Sequence, residues 1–417
     1  MLSLLTEAIH DAPKWTSIER AVSAAGSRMQ ATLALDILRC HRQKVRPLNA
    51  QQAKQKLEQA VRCIRRRASE CPLFEELDVP VVETLDPPSF MAWVDAKPTQ
   101  PARRSPPASQ REGPLHKFAT WKFQRLPAEH LKSGVVNFGR AGDRVRKEKA
   151  QGRCGADGTP SLNLLKAIVH TDALPTALAS RADHYWLTGP RRYMTVLEVC
   201  RAFGLSDGSP LTAALRRVRC PTNAVSMAGR GIHAGVAAAV LRWLDARALL
   251  PAHPTYASSC SGVDFFAAAL HGRGAFAYMH AAECDKQCRA VLMDAWGLAA
   301  ARIHEDAASA AARTAAHVDL YVASPSCVDF SARRHGRDDA VVAEGALDAN
   351  STVGFILDGR ARVVVVENVA ERDGVAAITT ILARAPYDWR FAELDPRLHA
   401  GHPIVRERAY WVGVRRS

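Results

Sequence analysis

From about residue 255 onward, short apolar segments alternate with amphipathic segments, and this alternation most restricts the possible folds. Three segments have strand-like composition: AFAYMHAAECD, VDLYVAS and ARVVVVENV. Between and after them lie the helix-like KQCRAVLMDAWG and GVAAITTILARA. Strands alternating with helices of roughly a dozen residues predict a doubly wound, mostly parallel α/β sheet. Ligands in such sheets bind beyond the carboxyl ends of the strands.

Two of the predicted strands end in side chains that can do chemistry. The segment HVDLYVASPSC breaks at Pro325 and then presents Cys327 in a polar, arginine-flanked loop. The run RVVVV ends at Glu367 and Asn368. Because parallel strands end at the same edge of a sheet, a thiol and a carboxylate placed this way indicate one active site.

Further polar residues follow the same pattern along the C-terminal part. They are Gly262 in a turn after a short strand, Glu283 at the end of the next strand, Asp306 after a third, and Arg406 and Arg408 opening the last strand. Together with the Pro-x-Cys loop and the Glu-Asn-Val tripeptide, this set resembles the cytosine-C5 DNA methyltransferases. The hallmarks of that family are a Gly-rich first turn, a Pro-Cys loop, an ENV tripeptide and a Q-x-R-x-R strand.

The remaining family motifs lie upstream instead of downstream. Residues 191–211 resemble the R-x-x-T-x-x-E helix block, and residues 220–244 resemble the final Asn-containing helix block. The resemblance therefore implies a circularly permuted motif order, which domains tolerate because their termini usually lie at the surface and close together. It covers about residues 185–417, and it predicts that Asn223 packs against the turn Cys260–Val263.

The resemblance implies a covalent mechanism on a cytosine flipped out of duplex DNA. Cys327 would add to C6 and so make C5 nucleophilic. Glu367 would hold or protonate N3, while Arg406 and Arg408 would bind the pyrimidine O2 and order the cysteine loop. Arg406 and Arg408 share one face of their strand because side chains alternate along it.

S-adenosylmethionine is the methyl donor that the resemblance implies, and no metal is expected. Glu283 would accept from the ribose hydroxyls, and Asp306 would accept from the adenine amino group. The methionine part would lie against two segments of backbone, which are the first turn at Cys260, Ser261, Gly262 and Val263, and the displaced helix block at Asn223 and Ala224.

The chain departs from the family pattern at several positions. Ser326 replaces a proline, Asp264 and Phe265 replace two glycines, Ile404 replaces glutamine, and Thr222 replaces glycine. These departures favour a first alternative, a catalytically weak or dead DNA- or cofactor-binding homologue. A second alternative is an RNA cytosine-C5 methyltransferase, which uses closely related chemistry. A thiol hydrolase would explain Cys327 but neither the ENV nor the RER motif.

Positive charge is concentrated in the N-terminal part. Residues 1–250 hold 38 Lys and Arg against 22 Asp and Glu, whereas residues 251–417 hold 18 against 20. Such asymmetry suits a polyanion such as nucleic acid, and the resemblance implies double-stranded DNA as the partner. We therefore expect a helical basic region at 1–94, a Pro/Ser/Arg linker at 95–114, and a target-recognition region at 115–190. The catalytic domain is expected at 191–417, with the displaced motifs at 191–248 and the cofactor and catalytic motifs at 255–417.

Cellular location is also predicted from composition. No apolar run approaches the roughly 18–20 residues that span a bilayer, and the N-terminus meets charge too early for a signal peptide. The ten cysteines are scattered without a CxxC pair, which is typical of reduced thiols. We expect no membrane partner and an intracellular location, which would be the nucleus in a eukaryote and the cytoplasm in a bacterium.

Overall fold

The computed structural model describes residues 74–82, 134–137, 151, 174, 185–190, 192–307, 309, 312, 316–325 and 354–416. The chain divides into two units, residues 1–77 with 390–392 and residues 78–389 with 393–417. In the first unit, strand β1 (Glu75–Glu76) pairs in parallel with Arg390 and Phe391. Most of the predicted helical region at 1–94 and the whole linker at 95–114 lie outside the described residues. Residues 74–82 of that region are described, and they contain strand β1 and no helix.

A small antiparallel sheet precedes the helices of the second unit. It has the order β2-β3-β4 and comprises β2 (Val135–Asn137), β3 (Tyr185–Leu187) and β4 (Arg192–Tyr193). Strands β2 and β3 lie before residue 190 in the sequence, and β4 lies after it. Trp186 packs edge-to-face on Tyr193 with ring centroids 4.9 Å apart, which gives the sheet its own apolar contact.

The main sheet of the second unit contains the strands that the alternating pattern predicts. They are β5 (Thr255–Ser259), β6 (Ala277–Ala282), β7 (Ile303–His304), β8 (Val318–Ala323), β9 (Ala361–Val369), β10 (Tyr387–Leu394) and β11 (Arg408–Arg415). Their spatial order is β10-β11-β9-β8-β5-β6-β7. Strands β5 to β9 pair in parallel, and β11 runs antiparallel to β9. The predicted doubly wound, mostly parallel α/β sheet is confirmed.

Strand β9 lies at the centre of the core. Its residues Val363 to Val366 are fully buried. A continuous run of β-branched residues suits a strand covered on both faces, because the branched side chains fill a pleated surface. The chain winds outward from β5 to β7 and then returns to β8 on the other side of β5. The strand order therefore reverses between β5 and β8, which is the topological switch point of this sheet.

Helices connect and cover these strands. They are α1 (Val196–Ala202), α2 (Pro210–Arg217), α3 (Pro221–Arg230), α4 (Ala234–Asp245), α5 (Phe265–Arg273), α6 (Lys286–Trp296), α7 (Gly354–Leu357), α8 (Arg372–Leu382) and α9 (Pro396–Ala400), with a 3₁₀ turn at Ala300–Arg302. The predicted glycine stop is confirmed at Gly297, which ends α6 in the left-handed conformation with φ 63°.

The displaced motif block packs into the core of the sheet unit. Residues of α1, α2 and α3 share one hydrophobic cluster with Val263 and Phe265, and α4 packs on α5. A Cβ at Gly231, between α3 and α4, would lie 2.4 Å from the Phe265 ring, so this approach requires glycine. Residues 220–244 and the first turn therefore belong to one packed structure.

One segment corrects the expectation that no apolar run approaches membrane-spanning length. By length and composition alone, Asn223–Asp245 is long enough and apolar enough to cross a membrane, and its mean hydropathy is 1.3. Its apolar window is 67% buried inside the protein, and Gly231 separates its two helices α3 and α4. Burial of this kind is typical of core helices, whose apolar surface is covered by neighbouring elements.

Candidate active site

The carboxyl ends of β5 and β8 meet at the switch point. Ser324, just after β8, donates its backbone N–H to the Ser259 carbonyl at the end of β5, with an N···O distance of 3.2 Å. Each strand then continues into a loop that contains predicted site residues. One loop is the turn Cys260–Asp264, and the other begins with Ser324 and Pro325.

The turn after β5 has an unusual backbone. Cys260, Gly262 and Asp264 all have left-handed φ values, of 49°, 56° and 59°. Glycine adopts this conformation freely, but each of the other two residues costs about 1–2 kcal/mol. Among the described residues, nothing lies within 4 Å of the position that a Cβ would take on Gly262, so this part of the structure leaves the backbone open on that side. The surrounding contacts must hold the two strained residues in place.

Glu283 ties this turn to the end of β6. Its carboxylate accepts from the backbone N–H of Gly262 at 2.6 Å and from that of Asp285 at 2.7 Å. Ser261 N–H donates to the Ala282 carbonyl at 3.2 Å. An ionised carboxylate has about four acceptor positions, so Glu283 retains capacity for a ligand hydroxyl. These bonds place Glu283 beside the first turn.

Asp264 closes the turn and is the main feature that sequence reasoning missed. Its side chain accepts from Tyr256 Oη at 2.9 Å, from Ser258 Oγ at 2.8 Å and from the Ala267 N–H at 2.9 Å. Tyr278 Oη is a further donor. Burial raises the pKa of Asp264, and the four hydrogen bonds oppose that rise. An aspartate directly before a helix is a capping signal, and this signal could have identified its local role.

The other residues predicted for the cofactor are distributed around the turn. Val263 and Ala224 are buried in one hydrophobic cluster. Asn223 donates from Nδ2 to Gln287 Oε1 at 3.1 Å, so its hydrogen bond goes to α6. Asp306 is exposed two residues beyond β7, and β7 pairs in parallel with β6. Asp306 and Glu283 therefore follow neighbouring strands at the same edge.

Glu367 lies at the carboxyl end of β9 between a hydroxyl and a guanidinium group. Ser324 Oγ donates to its Oε2 at 3.0 Å, and Arg408 Nε lies 3.3 Å from its Oε1. The carboxylate is 10% exposed and the Arg408 side chain 16% exposed. The antiparallel pairing of β11 with β9 positions Arg408, which stands opposite Val369. Glu367 of the ENV motif and Arg408 of the RER motif therefore lie at one edge of the sheet.

Asn368 fixes the start of the cysteine loop. Its Nδ2 donates to the Pro325 carbonyl at 2.9 Å, and its Oδ1 accepts from the Val369 N–H at 2.8 Å. The Asn of the ENV motif thus links β9 to the chain leaving β8. Cys327 lies two residues beyond Pro325 and outside the described residues, as does Ser326.

Arg406 is 4% exposed and has few partners. Nη2 donates to the Gly231 carbonyl at 3.0 Å, and the guanidinium lies 5.4 Å from the centroid of the Phe203 ring. In the part of the chain that the structure describes, its Nε and Nη1 have no hydrogen-bond partner. Burial, and then repulsion from Arg408, lowers the pKa of Arg406 to about 10. It is therefore charged at neutral pH and has two nitrogens, Nε and Nη1, that can donate to an acceptor.

The R-x-x-T-x-x-E motif forms a buried ion pair at the start of α1. Arg192 donates from Nη1 and Nη2 to Glu198 Oε2 and Oε1 at 2.8 and 2.6 Å. Thr195 and Glu198 form a capping box, in which each side chain accepts from the backbone N–H of the other. The motif thus joins β4 to α1, and it lies in the segment that packs on the sheet.

No group of three or more His, Cys, Asp or Glu side chains suited to a metal occurs among the described residues.

No protein-family model matches this chain, and no curated protein matches it. Solved structures with a similar fold include TrmN from Thermus thermophilus, with 18% identity over 43% of this chain and 48% of that chain and a TM-score of 0.30. They include S. pombe Dnmt2 methyltransferase, with 16% identity over 39% and 51% and a TM-score of 0.29. They also include magnesium protoporphyrin IX methyltransferase from Synechocystis PCC 6803 with bound SAM, with 14% identity over 54% and 98% and a TM-score of 0.30. The chain spans about half the length of the first two.

Proposed function

We propose that this protein transfers a methyl group from S-adenosylmethionine to C5 of cytosine in DNA. The observation that carries the proposal is the position of Glu367, which lies between the Ser324 hydroxyl and Arg408. The neighbouring Asn368 anchors Pro325 at the start of the loop that contains Cys327. A thiol, a carboxyl group and two arginines are the groups that this reaction needs on one cytosine ring.

The residues around the first turn fit the methyl donor. The open side of Gly262 allows a ligand to approach the backbone, and Glu283 has free acceptor positions beside it. We assign the ribose hydroxyls to Glu283, the adenine amino group to Asp306, and the methionine part to the turn with Asn223 and Ala224. When bound, the donor supplies a methyl group that is electrophilic because it is attached to a sulfonium.

The protein side chains would activate the cytosine. The Cys327 thiolate adds to C6, and the electron pair of the C5–C6 double bond becomes available at C5. Glu367 donates a hydrogen bond or a proton to N3, where negative charge develops. The open N–H groups of Arg406 would bind O2 of the same ring. After C5 has accepted the methyl group and S-adenosylhomocysteine has left, the C5 proton passes to a base such as hydroxide from solvent. The C5–H electron pair re-forms the C5–C6 double bond and expels the Cys327 thiolate, and any proton on N3 returns to Glu367.

The charge distribution supports a nucleic-acid substrate, and we propose duplex DNA. The excess of 16 positive charges lies in residues 1–250. Neutralising phosphates releases counterions, so binding should weaken steeply with salt. The target cytosine must leave the stack, because its C6 cannot be reached inside the duplex.

The decisive experiment measures transfer of labelled methyl from S-adenosylmethionine to duplex DNA, with tRNA assayed in parallel. Wild type should label the DNA, Cys327→Ala should abolish labelling, and Glu367→Gln should reduce it less. Cys220→Ala, which removes an exposed cysteine outside the site, is the matched control and should retain activity. DNA and donor binding should survive in Cys327→Ala, because neither depends on the sulfur.

A trapping experiment tests the covalent step separately. DNA containing 5-fluorocytosine should capture wild type through Cys327, because fluorine cannot leave as a cation during elimination. An adduct on another cysteine, or undiminished turnover in Cys327→Ala, would refute the mechanism. Labelling of tRNA alone would assign the protein to RNA, and no transfer to either nucleic acid would identify a binding homologue without turnover.

A further inference from the structure

A cavity of about 680 Å³ lies between the ends of α5 and α6. Its lining includes Gly274 after α5, Gly297 after α6, and Ala277 at the start of β6. Its volume falls within the roughly 300–1,000 Å³ that is typical of small-molecule sites.

This cavity is separate from the candidate active site. Ala277 begins β6, whereas Glu283 follows the carboxyl end of the same strand. Six strand residues at about 3.3 Å each separate these positions by roughly 20 Å. The cavity therefore lies toward the amino-terminal edge of the sheet, and the methyl donor and cytosine are assigned to the opposite edge.

Aromatic rings form one part of the lining. Phe276 and Trp296 are half-buried and meet edge-to-face with centroids 6.1 Å apart. His271 lies 6.1 Å from Trp296 at an angle of 50°. Rings that are only partly covered offer faces on which a planar group can stack, and such stacking is the usual way proteins hold a base.

Polar groups of two kinds complete the lining. The last turns of α5 and α6 lie at this edge. The Leu270 and Met293 carbonyls accept from the N–H groups of Gly274 and Gly297, and the carbonyls that follow them in each helix have no partner within the helix. Those later carbonyls can accept from ring N–H and amino groups. Arg302 is exposed and supplies a guanidinium group, and none of the described residues that line the cavity is acidic. A guanidinium group suits a phosphate, which it binds through paired N–H groups.

We propose that this cavity binds a nucleoside phosphate, with the base against Phe276 and Trp296 and the phosphate at Arg302. Amino-bearing bases fit best, because the helix carbonyls are acceptors. The ligand could be a free nucleotide or the 5′ end of a single-stranded oligonucleotide, since both present the same base and phosphate.

The test is calorimetric titration of the full-length protein with guanosine 5′-monophosphate and, separately, with a 5′-phosphorylated tetranucleotide that begins with guanosine. S-adenosylhomocysteine is kept at a high, constant concentration, so that a nucleotide entering the methyl-donor site would be displaced. Arg302→Gln and Trp296→Leu should each weaken binding about tenfold. Arg242→Gln, an exposed arginine on α4 that does not line the cavity, is the matched control and should leave binding unchanged.

The two probes distinguish a free nucleotide from the 5′ end of an oligonucleotide. Binding of either probe supports the proposal if Arg302→Gln and Trp296→Leu weaken that binding about tenfold. Guanosine without phosphate should bind about tenfold more weakly and should not respond to Arg302→Gln. The proposal is overturned if neither probe binds, or if Arg302→Gln and Trp296→Leu both leave the affinity unchanged in folded protein. These results do not depend on methyl transfer, so the proposed activity can fail while the cavity still binds nucleotide.

Discussion

Asp264 and Arg406 are both buried ionisable residues beside the candidate active site, but their surroundings differ. The Asp264 carboxylate accepts from three hydroxyls and one backbone N–H. The Arg406 guanidinium makes one hydrogen bond, to Gly231, and two of its nitrogens have no partner among the described residues. A buried group with all its bonds made fixes the local structure, whereas open donors cost stability and mark a place where a ligand can supply an acceptor.

Burial is the largest influence on the pKa of both residues, and it favours the neutral form of each. It raises the pKa of Asp264 and lowers that of Arg406 to about 10. At Asp264, four hydrogen bonds oppose the effect of burial on the pKa. At Arg406, the attraction of Glu367 opposes that effect only in part. We therefore assign Asp264 to the architecture of the turn and Arg406 to substrate binding, and four predictions test this division.

Asp264→Ala should have the largest effect, a loss of about 3 kcal/mol or more in the free energy of unfolding. It removes the acceptor shared by three buried hydroxyls, of which Ser258 and Tyr278 keep their mutual hydrogen bond of 2.7 Å, and it keeps a side chain in the left-handed conformation. Asp264→Gly removes the same bonds but relieves the backbone, so it should be about 1 kcal/mol more stable than Asp264→Ala. Urea unfolding measures both variants. Equal stability of wild type and Asp264→Ala would contradict the structural role.

Arg406→Met should give the opposite result. Stability should stay within about 1 kcal/mol of wild type or increase, because a buried charge with open donors is replaced by an apolar chain. Methyl transfer to DNA should fall about 100-fold, because the O2 contact is lost where charge develops. Parallel unfolding and activity measurements test the split. A large loss of stability with little loss of specific activity would show that Arg406 supports the fold and does not bind the substrate.

Arg408→Lys should have an intermediate effect, a loss of about tenfold in activity. Lysine keeps the charge beside Glu367 but lacks the planar guanidinium group that fits a carboxylate. Arg415→Lys, at the exposed end of the same strand, is the matched control and should leave activity unchanged. Steady-state rates on duplex DNA compare the two. Equal losses in both variants would contradict a specific role for the Arg408 guanidinium group beside Glu367.

The smallest effect should be the pH dependence of stability that Asp264 contributes. Its pKa is higher in the folded than in the unfolded protein, so the folded state binds this proton more tightly. The resulting stabilisation is complete below the ordinary value of 3.8 and is lost as the pH rises through the folded pKa. The stability of wild type relative to Asp264→Asn should therefore decrease as the pH rises from about 3.5 to 7. A difference that increases with pH would reverse the sign of the assigned shift.

The strands were predictable because their patterns are local. The valine run of β9 and the segment ending at Gly297 carry their signals within a few residues, and the structure confirms both. The proximity of Glu367 and Arg408 was predictable as well, because both stand at strand ends. The insertion of β11 between β9 and β10 was not predictable, because strand order depends on contacts between segments far apart in sequence.

The bonding of Asp264 could not be read from the sequence for a similar reason. Its donors Tyr256, Ser258 and Tyr278 come from two strands, and their hydroxyls meet only after those strands pair. From the sequence, Asp264 only stands where the family that the chain resembles usually has glycine. The structure adds that both residue types suit a left-handed position there, aspartate because its side chain is held by hydrogen bonds.

Tyr278 contributes both to the first turn and to the cavity. Its hydroxyl bonds to Asp264 at the first turn, and the same residue lines the cavity at the other end of β6. A ligand that shifts this phenol within the cavity would also change the support of the turn. Thermodynamic linkage makes such an influence mutual: whatever factor nucleotide imposes on methyl-donor affinity, the methyl donor must impose on nucleotide affinity.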